Sequence, residues 1–190
     1  MDIFSAFGLS ASAGLNAYIP LLVVALLARF TPLLKLNPPW DALTSWWVIG
    51  LLVVLSGIEF FADKFPVVNH INDLVQTFVR PIAGAILFAA SARVITNVHP
   101  VLALALGVLV AGSVHATKSL LIRPAVTATT GGAGNIPVSI LEDIISTVVS
   151  FFSIVMPILI ALLALLVGFI LVRWWIRRSH SLEHAPDSLS

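Results

Sequence analysis

Apolar residues run through this chain in long blocks separated by short polar or proline-rich stretches. A helix needs about 20 apolar residues to cross the hydrocarbon of a bilayer, and the blocks approach that length. The first runs from about Ser12 to Phe30 and ends in the loop Asn37-Pro38-Pro39-Trp40, and the second from about Trp46 to Ala62, closed by Asp63-Lys64-Phe65-Pro66. A third covers about Asp73 to Ile95 and a fourth about Val101 to Ile122. From Thr127 to Pro137 the chain carries Gly131, Gly132 and Gly134, which break a helix and mark a hinge or re-entrant turn. The last block, Val138 to Trp175, is too long for one upright span and has Glu142 and Asp143 near its start. Its pattern predicts a short polar-striped helix over about 138–152 leading into a span over about 153–174, kinked near Pro157. A sixth crossing hidden in this block is the alternative. The expected fold is all-α: a polytopic transmembrane helix bundle of about five crossings, with a broken or re-entrant polar-striped segment before the last. One transmembrane domain would cover 1–178, with a flexible polar C-terminal tail over 179–190.

Composition agrees. Hydrophobic residues make up 59% of the chain and charged ones 10%, with a mean hydropathy of +1.06, whereas soluble domains carry roughly a quarter charged residues. A net charge of +1 offers no basic field for nucleic acid. The absence of cysteine excludes disulfides, thiolate metal sites and cysteine nucleophiles. Met1 to Ser12 lacks the basic region of a cleavable leader, and no apolar run precedes the small residues Ala11-Ser12-Ala13, so the first block is read as retained.

Five crossings put the two ends on opposite sides. Arg29, Lys35, Arg93, Arg173, Arg177 and Arg178 would then share one boundary with the tryptophans Trp40, Trp46, Trp47, Trp174 and Trp175. The positive-inside rule and the aromatic belt make that boundary cytoplasmic. The expectation is a multi-pass protein of the cell (inner) membrane, N-terminus outside and C-terminus inside. Lys64, Arg80, Lys118 and Arg123 fall toward the outer half, where they meet Glu59, Asp63, Asp73, Glu142 and Asp143.

A charge inside the bilayer costs roughly 2.5–3.5 kcal/mol on insertion scales and needs a partner or water. Helical spacing sorts the polar residues into stripes: Ser56, Glu59 and Asp63; Asp73, Thr77, Arg80 and Gly84; Gly107, Ala111, His115 and Lys118; Ser139, Glu142, Asp143, Ser146, Ser150 and Ser153. Turned inward, the stripes would line a hydrated cavity. The plain alternative is that Arg80 and Lys118 neutralise carboxylates structurally, or that end charges snorkel to headgroups. In the first block, Asn16 can hydrogen-bond across helices and Pro20 frees a backbone carbonyl. This segment is either a broken helix presenting backbone to a solute or a tightly packed, kinked one. Glu59, Asp63, His70 and Asp73 supply metal-ligand types without a recognised spacing motif, so no metal and no cofactor is assigned. The Gly131–Gly134 loop lacks the Lys-Ser/Thr of a phosphate-binding loop, and no serine sits in a nucleophile elbow.

A faint internal repeat is present. The run from Asn72 to Val79 resembles that from Glu142 to Val149, and Ala13-Gly14 with Asn16-Ala17 resembles Ala111-Gly112 with His115-Ala116. In a five-crossing scheme the first pair runs alike and the second oppositely, so no single symmetry relates both.

Ala13-Gly14-Leu15-Asn16-Ala17-Tyr18, Glu59 with Asp63-Lys64-Phe65-Pro66, and Asp73 with Thr77-Phe78-Val79-Arg80-Pro81-Ala83-Gly84 form a wider pattern. With His115, Lys118, Arg123, Asn135, Pro137 and Glu142-Asp143, it resembles a family of small membrane proteins known as domain of unknown function 4126, over about residues 8–160. The resemblance implies a membrane protein and no established activity. The residues themselves point first to a transporter or permease-like protein for a small polar or charged solute, proton- or cation-coupled. Asn16, Glu59, Asp63, Asp73, Arg80, His115, Lys118, Glu142 and Asp143 would be its solute- and ion-binding residues. Membrane lipids and a second copy of the chain in a homo-oligomer are the expected partners. A membrane enzyme acting on a lipid headgroup through general acid–base carboxylates and a non-catalytic assembly protein are the rivals.

Overall fold

The computed structural model describes residues 3–62, 66–92, 99–159, 162–163, 165–170 and 172–173, with backbone only for 66–71, 73 and 92. Every regular element among the described residues is a helix. Asp63, Lys64, Arg93, Trp174, Trp175, Arg177, Arg178 and the tail over 179–190 lie outside the described residues.

The first block is two helices where one was expected. Helix α1 spans Ile3–Leu15 and α2 spans Tyr18–Phe30. Asn16 makes the break: its N–H closes α1 on the Ser12 carbonyl at 3.1 Å, and its side-chain oxygen accepts from the N–H groups of Tyr18 and Ile19 at 3.1 and 3.0 Å. An asparagine side chain competes with the backbone in this way and starts a new helix. Pro20 then falls in the first turn of α2, where a missing N–H costs no helical bond. The segment also begins earlier than its hydropathy indicated. Ser5, Ser10 and Ser12 dilute the apolar signal yet are buried, because hydroxyls such as Ser10 and Ser12 donate to the carbonyls of Gly84 and Leu9, both at 2.8 Å.

A loop with a cis Pro38-Pro39 bond and a 3₁₀ turn, Trp40–Thr44, leads to α3, Trp46–Ala62, at the expected bounds. Helix α4 spans Pro66–Ala92, starting before the expected Asp73. Helix α5, Pro100–Thr117, does not stop near Ile122: it passes through a π-turn, Lys118–Ile122, into α6, Arg123–Thr130. The expected hinge shrinks to a tight turn in which Gly131 and Gly132 take positive φ, +63° and +93°, a conformation only glycine adopts freely. Helix α7, Asn135–Val155, has 21 residues and is long enough to cross a membrane, which corrects the expected short helix over 138–152. The break falls at Met156, because Pro157 has no N–H for the Ser153 carbonyl. The chain is helical again at the described positions of 157–173 and exposed at all of them from 158 onward.

Among the described residues, three stretches are long and apolar enough to span a membrane, Leu74–Ser91, Pro100–Thr130 and Asn135–Val155, and α1, α2 and α3 are shorter apolar helices. Side-chain pairs set the directions. Phe7 stacks edge-on against Phe88 at 5.1 Å and Ser10 bonds Gly84, so α4 runs antiparallel to α1. Ser12 bonds Ser150 and Asn16 bonds Asp143, so α7 also runs antiparallel to α1. Phe30 meets Trp46 at 5.9 Å while Tyr18, at the other end of α2, lies in the field of Glu59, so α3 runs antiparallel to α2. Thus α3 lies beside α2 and α4 beside α1, and the two follow each other in one direction. Glycines allow the tight centre: a methyl on Gly14, Gly84 or Gly107 would collide with Ala111 or Ala85 backbone or side-chain atoms of the facing helix. Leu9, Ala13, Leu21, Val24, Leu52, Ala83, Leu87 and Ala111 fill the core around them.

The buried charges sit beside the junction of α1 and α2, where Lys118 reaches the Leu15 carbonyl, and the described C-terminal part of α4 packs through Phe88 against Phe7 of α1.

Candidate functional site

Three polar clusters meet at this level. In the first, the Arg80 guanidinium donates from Nη2 to Glu59 Oε1 at 2.8 Å, with side chains 0% and 1% exposed. Its Nη1 lies 3.1 Å from His115 Nδ1, and His115 Nε2 lies 3.2 Å from Thr77 Oγ1. A guanidinium can only donate. His115 Nδ1 is therefore the acceptor, and the imidazole is neutral in this arrangement with its proton on Nε2. Tyr18 joins from α2, hydrogen-bonded to Gln76 and within the field of Glu59 and Arg80.

In the second cluster, Lys118 Nζ lies 2.6 Å from Glu142 Oε2 and donates to the Leu15 carbonyl at 3.1 Å. Arg123 Nη2 lies 3.7 Å from the same Glu142 oxygen and 3.5 Å from Ser139 Oγ. The π-turn creates this double contact. Lys118 and Arg123 are five apart and would face different directions on an α-helix of 3.6 residues per turn. Here the Arg123 N–H bonds the Lys118 carbonyl, stacking one above the other. Pro124 favours the distortion, since it cannot supply the N–H that an α-helix would direct to Leu120.

The third cluster joins Asn16 Nδ2 to Asp143 Oδ1 at 2.9 Å, beside the helix break. Below it runs a hydroxyl ladder: Ser146 donates to the Ser12 carbonyl at 3.0 Å and Ser12 pairs with Ser150 at 2.8 Å. Among the described residues, the three cations Arg80, Lys118 and Arg123 face the three carboxylates Glu59, Glu142 and Asp143.

The chain matches the family described as domain of unknown function (DUF4126) over residues 3–177. The chain belongs to that family. No curated protein and no solved structure matches it. In this DUF4126 protein, the residues that carried the resemblance and can be placed fall largely in or next to the polar layer: Asn16, Glu59, Arg80, His115, Lys118, Arg123, Glu142 and Asp143.

Of the sequence-predicted site residues, Asn16, Glu59, Arg80, His115, Lys118, Glu142 and Asp143 are brought together, drawn from the α1–α2 break, α3, α4, α5, the π-turn and α7. Asp63 lies outside the described residues, and Asp73 is described in backbone only. Glu59 is engaged by Arg80, and no group of three or more metal-ligating side chains occurs among the described residues. Sequence reasoning left Gln76, Tyr18 and Arg123 out of the site. Gln76 precedes the Thr77 stripe by one position and is buried, and only the packing of α4 against α2 selects it. Arg123 needs the π-turn, for which Pro124 was the available signal. Gln76 Oε1, Arg80 Nε and Glu142 Oε1 are buried with no hydrogen-bond partner among the described residues, which leaves polar capacity inside the layer.

Proposed function

We propose that the protein is a small integral membrane permease for a small polar or charged solute, coupled to protons or cations through this layer. The observation that carries the reading is the coincidence of helix breaks with buried ion pairs. The α1–α2 break and the Lys118–Ile122 π-turn lie side by side, with Lys118 resting on the carbonyl at the end of α1. Transporters place substrate and ion sites at discontinuous helices near the bilayer midplane, and intramembrane ionisable groups are retained chiefly for function.

The helix directions support five crossings. The α1–α2 segment makes the first, α3 and then α4 together the second, α5 through α6 the third, α7 the fourth, and the apolar stretch from 157 the fifth. Crossings one and three then run alike, as do two and four, which removes the conflict in the internal repeat: both matched pairs become parallel. Arg29 reaches Thr44 and covers Trp46 at 4.1 Å on the side of the 31–45 loop. With Lys35 this side is cytoplasmic under the positive-inside rule, placing the N-terminus outside and the C-terminus inside the cell (inner) membrane. Gly50 and Gly57 on α3, where an added methyl meets nothing within 4 Å, leave room for a second copy to pack closely in a homo-oligomer.

Solute flux across proteoliposomes, followed against a pH gradient, tests the reading. Asp143→Asn and Arg80→Lys should each abolish most of the flux while the protein stays folded. Undiminished flux in both would remove the layer from the pathway.

A further inference from the structure

The lysine in the polar layer sits where a free cation would. Leu15 is the last residue of α1, and the N–H that would bond its carbonyl in a continuous helix, that of Ile19, is taken by the Asn16 side chain. The carbonyl is thus released by the break and carries the negative end of a half-helix dipole. Glu142 faces it from α7. A freed carbonyl at a half-helix end together with a carboxylate is the donor set that holds a coupling ion in broken-helix transporters. Here the Lys118 ammonium fills it, 3.1 Å from Leu15 O and 2.6 Å from Glu142 Oε2, with its side chain 2% exposed.

Pairing with Glu142 does not by itself account for the position of this lysine, because its Nζ also bonds the freed Leu15 carbonyl. Arg123 approaches the same Glu142 oxygen at 3.7 Å without reaching that carbonyl contact. His115 lies one turn before Lys118 on α5, and Asp143 sits beside Glu142. An open, largely apolar groove lined by Leu15, Ser113, Val114, Thr117, Lys118 and Ile122 runs along this part of the bundle.

We propose that Lys118 is the tethered occupant of a monovalent-cation site built from the Leu15 carbonyl and the Glu142 carboxylate. The chain supplies covalently the positive charge that a permease of this construction otherwise takes from solution. The inference deepens the permease reading, yet its test needs no flux: a chain that transports nothing can pass it, and a working permease can fail it.

The experiment compares thermal unfolding of purified wild type, Lys118→Ala, Lys118→Met and the double variant Lys118→Ala/Glu142→Gln in sodium, potassium and choline chloride of equal ionic strength. Lys118→Ala empties the site, and its apparent Tm should rise by on the order of 5 °C from choline to sodium or potassium. Wild type, with the site filled, should show no such rise. Lys118→Met fills the space with an apolar chain and should show none either, and Glu142→Gln should cancel the response of the alanine variant. Recovery of folded Lys118→Ala only when sodium or potassium is present would support the site equally. Equal behaviour of Lys118→Ala in all three salts, an equal response in Lys118→Met, or failure to recover either variant in any salt would overturn it and leave Lys118 a structural strut.

Discussion

Removing the Arg80 guanidinium gives the sharpest physical test of the buried layer. Arg80 and Glu59 are 0% and 1% exposed and 2.8 Å apart, so Arg80→Gln takes the Arg80 cation away from a buried carboxylate. Breaking a buried pair in this way costs about 3–5 kcal/mol. The substitution also strips the donor from His115 Nδ1, worth about 1 kcal/mol more. For a chain of this length each kcal/mol moves Tm by about 2–4 °C. The expected loss is therefore on the order of 10 °C, read as an apparent Tm from tryptophan fluorescence in detergent at one scan rate. Glu59→Gln should also destabilise, since it leaves the guanidinium unpaired. The double variant Glu59→Gln/Arg80→Gln removes both charges, and a neutral replacement of a buried pair is often close to isoenergetic. It should regain at least half of the Arg80→Gln loss. If the two single losses instead add to within about 0.5 kcal/mol, or if Arg80→Gln shifts Tm by less than about 2 °C, the pair is not held dry between α3 and α4 and the reasoning fails.

Other outcomes follow from the same geometry. Asn16→Ala deletes the cap on Tyr18 and Ile19 and the bond to Asp143; it should cost about 1–2 kcal/mol and speed amide exchange at those two residues more than elsewhere in α2. Gly84→Ala should destabilise by about 1–3 kcal/mol because its methyl collides with Ala111 and Gly107, whereas Gly57→Ala, facing open space, should leave Tm unchanged. The cysteine-free background permits single-cysteine labelling: Lys35→Cys and Ala133→Cys should react with a membrane-impermeant thiol reagent from one side and His99→Cys from the other. Lys35→Cys and His99→Cys reacting from the same side would refute the crossing scheme.

Much of the architecture was legible because a bilayer imposes a coarse, length-based code. The apolar block over Trp46–Ala62 became α3 at the same bounds, the stripe Gly107-Ala111-His115-Lys118 is buried, and so is Ser139-Glu142-Asp143-Ser146-Ser150-Ser153 apart from the half-buried Asp143. That periodicity follows from helix geometry alone. Where the reading missed, local chemistry overruled average hydropathy. Serine hydroxyls bonded to backbone carbonyls let α1 begin at Ile3, and an asparagine competing for amides split the first block at Asn16. The continuous helix through Lys118–Ile122 hid Arg123 from a 3.6-residue count.

By its sequence alone, then, this protein reads as an all-helical, lipid-adapted chain whose ionisable residues fall on helical stripes. Hydropathy and helical spacing are local quantities and require no partner. Tertiary structure alone decided which charges pair and in which direction the helices run relative to one another. Those choices depend on contacts between positions far apart in the chain, such as Asn16 with Asp143 and Lys118 with Leu15 and Glu142. They also depend on a single π-turn that rotates one cation onto another's carboxylate, a displacement that no periodic reading of the sequence contains.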